Sequence, residues 1–273
     1  MQLYDRLFPP RIMELPNGKK VEEKRSRPPM IAALLLVCVA VSVRVPGFSL
    51  TTLITRGSYF FDILKRMFPP NTGYISSVWK PLFDTIKMSF LGSFIGAALA
   101  VPMAFAASGN MVRNRVVSAT ARFILSVLRT LPTLVTALIA TYIFGLGTTA
   151  GTTAIAVFTF SYLGKLLYEQ IETADMGPFD AMEAMGAGRI RCFIGAIVPQ
   201  ILPGYLSNSL YCFEGNVRYA SILGYVGAGG LGLILNENIG WREYDKVGMI
   251  LLILFVTVVI IEYISHALRQ KLT

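Results

Sequence analysis

The sequence predicts an all-α integral membrane protein of about six transmembrane helices, and three observations carry that prediction. First, 54% of its 273 residues are hydrophobic and only 15% are charged, where a soluble domain carries about 25% charged residues. Second, apolar runs of spanning length, about 17 to 25 residues, can be placed six times. Third, Lys and Arg are distributed unevenly between the two sets of connections, as membrane insertion requires.

The elements follow in chain order. Residues 1–29 mix charge with proline and read as a mobile or surface-lying tail. Residues 30–81 hold a first span, Met30 to Phe48, and a long outer segment. In that segment Leu53, Ile54, Tyr59, Phe60, Phe61, Ile63, Leu64, Met67 and Phe68 recur as on an amphipathic helix. Such a helix either lies in the membrane interface or caps the protein. Residues 82–273 form the core. Its spans are expected at Leu82 to Ala107, Ala121 to Phe144, Thr152 to Leu167, Ala196 to Tyr219 and Val247 to Leu268, interrupted by a polar loop at 171–199.

Orientation rests on charge. With both termini inside, the inner segments hold 14 Lys and Arg and the outer ones six. The excess marks the cytoplasmic side and puts the 171–199 loop there. Trp79 and Trp241 both precede inward-running spans, where indole rings favour the headgroup level. The first apolar run begins only at Met30, after a polar tail, so no cleavable signal is expected. A net charge of +9 fits anionic headgroups; it is no sign of nucleic-acid binding, because no aromatic-interleaved basic platform accompanies it.

Chemistry within the core is sparse. His266 is the only histidine, so no histidine triad or multi-histidine zinc site can be built. No phosphate-binding G-x-x-x-x-G-K-[ST] loop occurs; any ATP that drives the protein must be bound by another chain. Cys38, Cys192 and Cys212 lack metal-ligand spacing and read as packing residues. No cofactor or metal is expected.

Four features remain as candidates. Gly227, Gly229 and Gly232 match G-x-G-x-x-G formally, but the flanks are membrane segments and not a strand and a helix of a βαβ unit, so a dinucleotide site is rejected. Two other readings stay open for the glycine segment: small-residue packing through Gly224, Ala228 and Gly232, and a broken helix whose backbone, at Gly227, Gly229 and Gly230, lines a pathway. Glu214 and Arg218 sit one helical turn apart and are either pathway groups or a structural pair. Arg129, close to Pro132, marks either a kinked span with an inward charge or a snorkelling side chain.

The polar loop is the most specific feature. It reads as a short helix from Phe179 to Met185, a turn at Gly186 and an amphipathic run ending at Pro199. Asp180-Ala181-Met182, Gly186 and Ala196-Ile197-Val198-Pro199 keep the spacing of Glu-Ala-Ala, three residues, Gly, nine residues, Ile-x-Leu-Pro. This resembles the cytoplasmic coupling loop of bacterial ABC importer permeases, with Asp, Met, Ala and Val as the departures; the bland alternative is an ordinary connection. Leu210 to Gly232, with Asn216, and the closing Glu262 to Arg269 are similar to phosphonate-type permeases.

That resemblance implies a type I ABC importer permease architecture and an ATP-driven import function for phosphonate, phosphite or a related oxyanion at the bacterial inner membrane. It implies that Asp180, Ala181, Glu183, Ala184, Gly186 and Pro199 couple to an ATPase, and that Glu214, Arg218, Gly227, Gly229, Gly230 and Arg129 line the substrate pathway. The implied partners are a second permease copy, two cytoplasmic ATPase subunits, a periplasmic or lipid-anchored binding protein, and membrane lipid. The chain itself would be no enzyme. Competing readings are a permease for another solute, such as methionine or a quaternary amine, and an ion-coupled secondary transporter.

Overall fold

A computed structural model describes residues 12–14, 18–22, 28–45, 47 and 49–272. The chain divides into two compact units after Phe61. In the first, an antiparallel hairpin pairs β1 (Ile12–Glu14) with β2 (Lys20–Glu22) in the register Met13 to Val21. The hairpin lies within the expected tail. It is followed by α1 (Pro28–Arg44). The amphipathic run forms a single helix, α2 (Leu50–Met67), which crosses the division between the units.

The second unit is wholly helical: α3 (Ile75–Ala107), α4 (Arg115–Thr130), α5 (Thr133–Phe144), α6 (Thr148–Thr173), α7 (Gly177–Ala184), α8 (Arg189–Cys192), α9 (Val198–Leu223), α10 (Leu231–Gly240) and α11 (Tyr244–Gln270). Among the described residues, four helices are long and apolar enough to cross a membrane, namely α3, α6, α11 and the run Arg189–Val226 that contains α8 and α9. The six expected runs all correspond to helices, with two qualifications. The apolar stretch of α1, Ile31–Arg44, is shorter than a full span, and the expected span Ala121 to Phe144 is the pair α4 and α5, bent by 92°. The break falls where a proline must put it. Pro132 has no N–H to continue the helical ladder, and the residue before it, Leu131, is forced into extended backbone at φ −74°, ψ 123°.

Helix α3 begins at Ile75, before the boundary expected at residue 82, because the helix continues through Trp79, Lys80 and Pro81. At 33 residues it is about 50 Å long, more than the hydrocarbon core of about 30 Å requires. It packs along α6 through a stripe of small residues, one per turn: Gly92, Gly96, Ala100 and Ala104. A Cβ on Gly96 would lie 2.6 Å from the Ala156 carbonyl oxygen, and one on Gly92 2.8 Å from that of Thr152. The two backbones therefore approach as closely as the absence of side chains permits. Helix α4 adds to α6 in the same way, with Leu125 lying over Gly164.

Buried polar groups bolt this packing together. The Asn216 amide on α9 donates to Ser93 Oγ on α3 (2.8 Å) and Thr159 Oγ1 on α6 (2.9 Å). Thr85 Oγ1 donates to the Pro81 carbonyl (2.8 Å) and accepts the Leu231 N–H at the start of α10 (2.7 Å). At the other end of α3, Glu172 accepts the Gly109 N–H (2.8 Å) and pairs with Arg122, whose Nε donates to the Ala107 carbonyl (2.8 Å). The beginnings of α3 and α11 are tied where the Asn71 amide donates to Asp245 Oδ2 (3.0 Å).

Candidate functional site

Two regions hold the residues singled out from the sequence. The first is the polar loop. Asp175 opens it by accepting the Gly177 N–H (2.9 Å), and Gln200 pins its entrance to α9, donating to the Asp175 carbonyl (3.0 Å) and accepting the Asp175 N–H (3.0 Å). Helix α7 is anchored by one side chain, the fully buried Phe179. It ends where Gly186 takes φ +85°, a left-handed conformation that side chains other than glycine adopt at a cost; the Ala187 N–H then donates back to the Met182 carbonyl (3.1 Å). The chain turns through α8 into five residues of π-helix, Phe193–Ile197, before α9. Phe193 closes the inner face, edge-on to Phe105 at 4.9 Å.

Asp180, Ala181, Ala184, Gly186 and Pro199 are all exposed on this loop, while Glu183 is half-buried and pairs with Arg189 at 3.6 Å. Arg189 also reaches the Asn110 carbonyl (3.5 Å), and the Asn110 amide donates to the Ile171 carbonyl (2.8 Å). The loop is thus tied to the α3–α4 connection as well as to its own flanking helices. Sequence reasoning missed the apolar tips. Met185 and Ile190 are 80% and 68% exposed, and Ile194 a little further along the same loop is exposed as well. The signal was present as two large apolar side chains flanking the glycine turn. Exposed apolar groups on a rigid loop are what a docking partner covers.

The second region is the end of α9. After Leu223 the helix tightens to a 3-10 turn, Gly224–Val226, and then unwinds: Gly227, Gly229 and Gly230 have φ of +77°, +78° and +70°. Gly224 and Gly232 lie on either side of the unwound stretch with their backbones in contact, and not as a stripe along one helix. The backbone is that of a broken helix, and Gly224 and Gly232 also supply the close approach of the small-residue reading; the two are compatible. The unwound backbone rests on a second glycine turn, Gly145–Gly147, whose Gly147 N–H donates to the Gly227 carbonyl (2.9 Å).

Glu214 is buried in α9, 4% exposed, and both carboxylate oxygens are used. Oε1 meets Arg218 Nη2 at 2.6 Å and Oε2 meets Arg269 Nη2, from the last turn of α11, at 3.6 Å. Arg269 also lies over the Tyr211 ring. Reading only within one helix finds the Arg218 partner and misses Arg269, because nothing in local spacing joins α9 to α11. Arg218 keeps half of its surface exposed, so its other donors remain open to a ligand. Arg129 is exposed at the end of α4, just before the break, and no hydrogen bond or ion pair joins it to Glu214, Arg218 or the glycine turn among the described residues.

No group of three or more His, Cys, Asp or Glu able to hold a metal occurs among the described residues. The two regions are thus an exposed loop and an interrupted helix that carries a half-exposed guanidinium.

The profile of the family described as binding-protein-dependent transport system inner membrane component matches residues 92–273. The phosphite transport system permease protein PtxC of Stutzerimonas stutzeri is 30% identical over 242 residues, 88% of this chain and 86% of that one. The putative phosphite transport system permease protein HtxC of the same organism is 29% identical, over 93% of this chain and 90% of that one. The phosphate-import permease protein PhnE of Mycolicibacterium smegmatis is 35% identical over 77% of this chain, a match that spans only 40% of that longer protein. Among solved structures, the inward-facing MetNI methionine ABC transporter superposes with a TM-score of 0.65 at 20% identity, over 74% of this chain and 99% of that one. An amino acid ABC transporter with histidines superposes with a TM-score of 0.58 at 22% identity, over 72% of this chain and 98% of that one. These two likenesses concern the fold.

Proposed function

Because the chain belongs to the family of inner membrane components of binding-protein-dependent transport systems, we propose that it is the permease subunit of an ATP-driven importer for a phosphorus oxyanion: phosphonate, phosphite or phosphate. The observation that carries the solute class is the similarity to permeases named for phosphite and phosphate, joined to two sets of donors on one stretch of chain, the partly open Arg218 guanidinium and, nine residues further on, the unwound glycine backbone from Gly227. Guanidinium and backbone N–H groups are the donors that bind tetrahedral oxyanions.

In this reading two copies of the chain enclose one pathway, and an ATPase subunit docks on each 171–199 loop, covering Met185 and Ile190. A binding protein outside the membrane delivers the solute. The tail, the 171–199 loop and both termini face the cytoplasm, and α2 lies on the outer side, as the excess of Lys and Arg requires. ATP binding draws the two loops together and opens the pathway outward; hydrolysis resets the inward-facing state. The chain binds no nucleotide itself. Its contribution is to carry movement from the loop, through α8 and α9, to the glycine turn at the far end of α9.

The test is uptake of labelled phosphite, methylphosphonate and phosphate by proteoliposomes holding the permease with its ATPase and binding protein. ATP-dependent accumulation of at least one of the three is expected. Accumulation that persists with a hydrolysis-dead ATPase overturns the reading in favour of an ion-coupled carrier. Arg218→Ala is expected to abolish uptake while the complex still assembles.

A further inference from the structure

Lys87 is a charge in an unusual place. It lies on α3 two turns beyond Trp79, about 12 Å along the helix, within the segment long and apolar enough to cross the membrane. Its side chain is exposed, and among the described residues it has no ion pair and no hydrogen bond. An ammonium at such a depth is costly against lipid and is found facing water, a partner or a pathway.

Its surroundings mix apolar side chains, Met88, Leu91 and Phe144, with polar ones. Lys87 lines a cavity of 440 Å³ with Asp84, one turn away on α3, and with four threonines at the start of α6: Thr148, Thr149, Thr152 and Thr153. The hydroxyls of Thr152 and Thr153 rest on helix carbonyls at 2.7 and 2.9 Å. Those of Thr148 and Thr149 have no partner among the described residues. The cavity also adjoins the glycine turn. A Cβ on Gly229 would come 3.0 Å from the Thr148 nitrogen, and one on Gly230 3.3 Å from Met88 Cε.

We propose that Lys87 and the threonine edge of α6 form a binding station for the phosphorus oxyanion on its way past the glycine turn. This rests on the reading of the chain as an importer of such anions. Lys87 supplies the charge, the free hydroxyls of Thr148 and Thr149 supply neutral donors, and Thr152 and Thr153 turn their protons from the helix to the ligand at little cost. Asp84 accepts a hydrogen bond only from an anion that still carries a proton, which a phosphonate or phosphite monoanion does.

The experiment uses the assembled importer in proteoliposomes and labelled phosphite. Lys87→Met is expected to lower uptake at least tenfold, and Lys87→Arg to keep a third or more, while ATP hydrolysis stimulated by the loaded binding protein continues in both. Lys87→Cys, in a background with Cys38, Cys192 and Cys212 replaced by Ser, is expected to react with a water-soluble aminoethyl methanethiosulfonate. The ammonium so attached is expected to raise uptake at least threefold. Wild-type importer that moves none of the phosphorus oxyanions overturns the functional reading itself. Wild-type uptake with an unaffected Lys87→Met variant, or a cysteine at 87 that the reagent does not reach, overturns the station alone. Loss of stimulated hydrolysis in Lys87→Met would make Lys87 a structural residue and equally overturn it.

Discussion

Gly224 and Gly232 are in backbone contact: a Cβ on Gly224 would stand 2.1 Å from the Gly232 carbonyl carbon, and one on Gly232 would stand 2.0 Å from the Ser221 carbonyl oxygen. Main chain, not a yielding side chain, occupies both spaces. Gly224→Ala or Gly232→Ala is therefore expected to cost about 1–3 kcal/mol of stability, the usual range for overpacking. Thermal unfolding of the purified permease in detergent checks this. Gly188→Ala is the control with little expected change, because nothing lies within 4 Å of a Cβ there.

Glu214 and its two arginines separate a structural from a functional role. Glu214→Ala removes the buried carboxylate that meets both Arg218 and Arg269, at a cost of about 2–3 kcal/mol. Arg218→Ala leaves Glu214 paired with Arg269 and removes a half-exposed group, worth about 1 kcal/mol or less. Denaturant midpoints should fall much further for Glu214→Ala, whereas uptake should be lost in both variants. Equal midpoints would show that Arg269 does not hold Glu214.

At Gly186 the space is open but the backbone is left-handed. Size is therefore not the constraint. Gly186→Ala or Gly186→Arg asks an L-residue to adopt φ +85°, which costs about 1–2 kcal/mol. The expected outcome is fewer solute molecules moved per ATP hydrolysed, with the protein still in the membrane. Gly186→Asn, which tolerates this conformation, is expected to stay near wild type.

Asn216 donates to two hydroxyls on two other helices. Asn216→Ala is expected to lower stability by about 1–3 kcal/mol, the cost of stranding buried polar partners. Adding Ser93→Ala and Thr159→Val, which remove the stranded groups, should recover part of the loss. Urea denaturation of the three proteins measures it.

What the sequence made legible followed what is local. Apolar runs located the helices, Leu131-Pro132 located the break, and the Asp180 to Pro199 spacing located the exposed loop. The pairing of Glu214 with Arg218 was readable because both lie on one helix face. Arg269 was not, since its contact with Glu214 depends on how α11 crosses α9. The stripe at Gly92, Gly96, Ala100 and Ala104 was present as a four-residue period but does not announce which helix it meets. Lys87 was not readable as a site, because its threonine neighbours come from α6 and depend on how that helix packs against α3.

Thr85 and Gly230 place limits on each other. The Thr85 hydroxyl reaches the Leu231 N–H only because position 230 has no side chain; a Cβ there would come within 2.5 Å of the same oxygen. Serine alone could stand in at 85, since it keeps a short hydroxyl. Across related chains position 230 should therefore stay glycine even where the hydroxyl at 85 is lost, because its backbone is left-handed at φ +70°, while a side chain at 230 would make the hydroxyl useless.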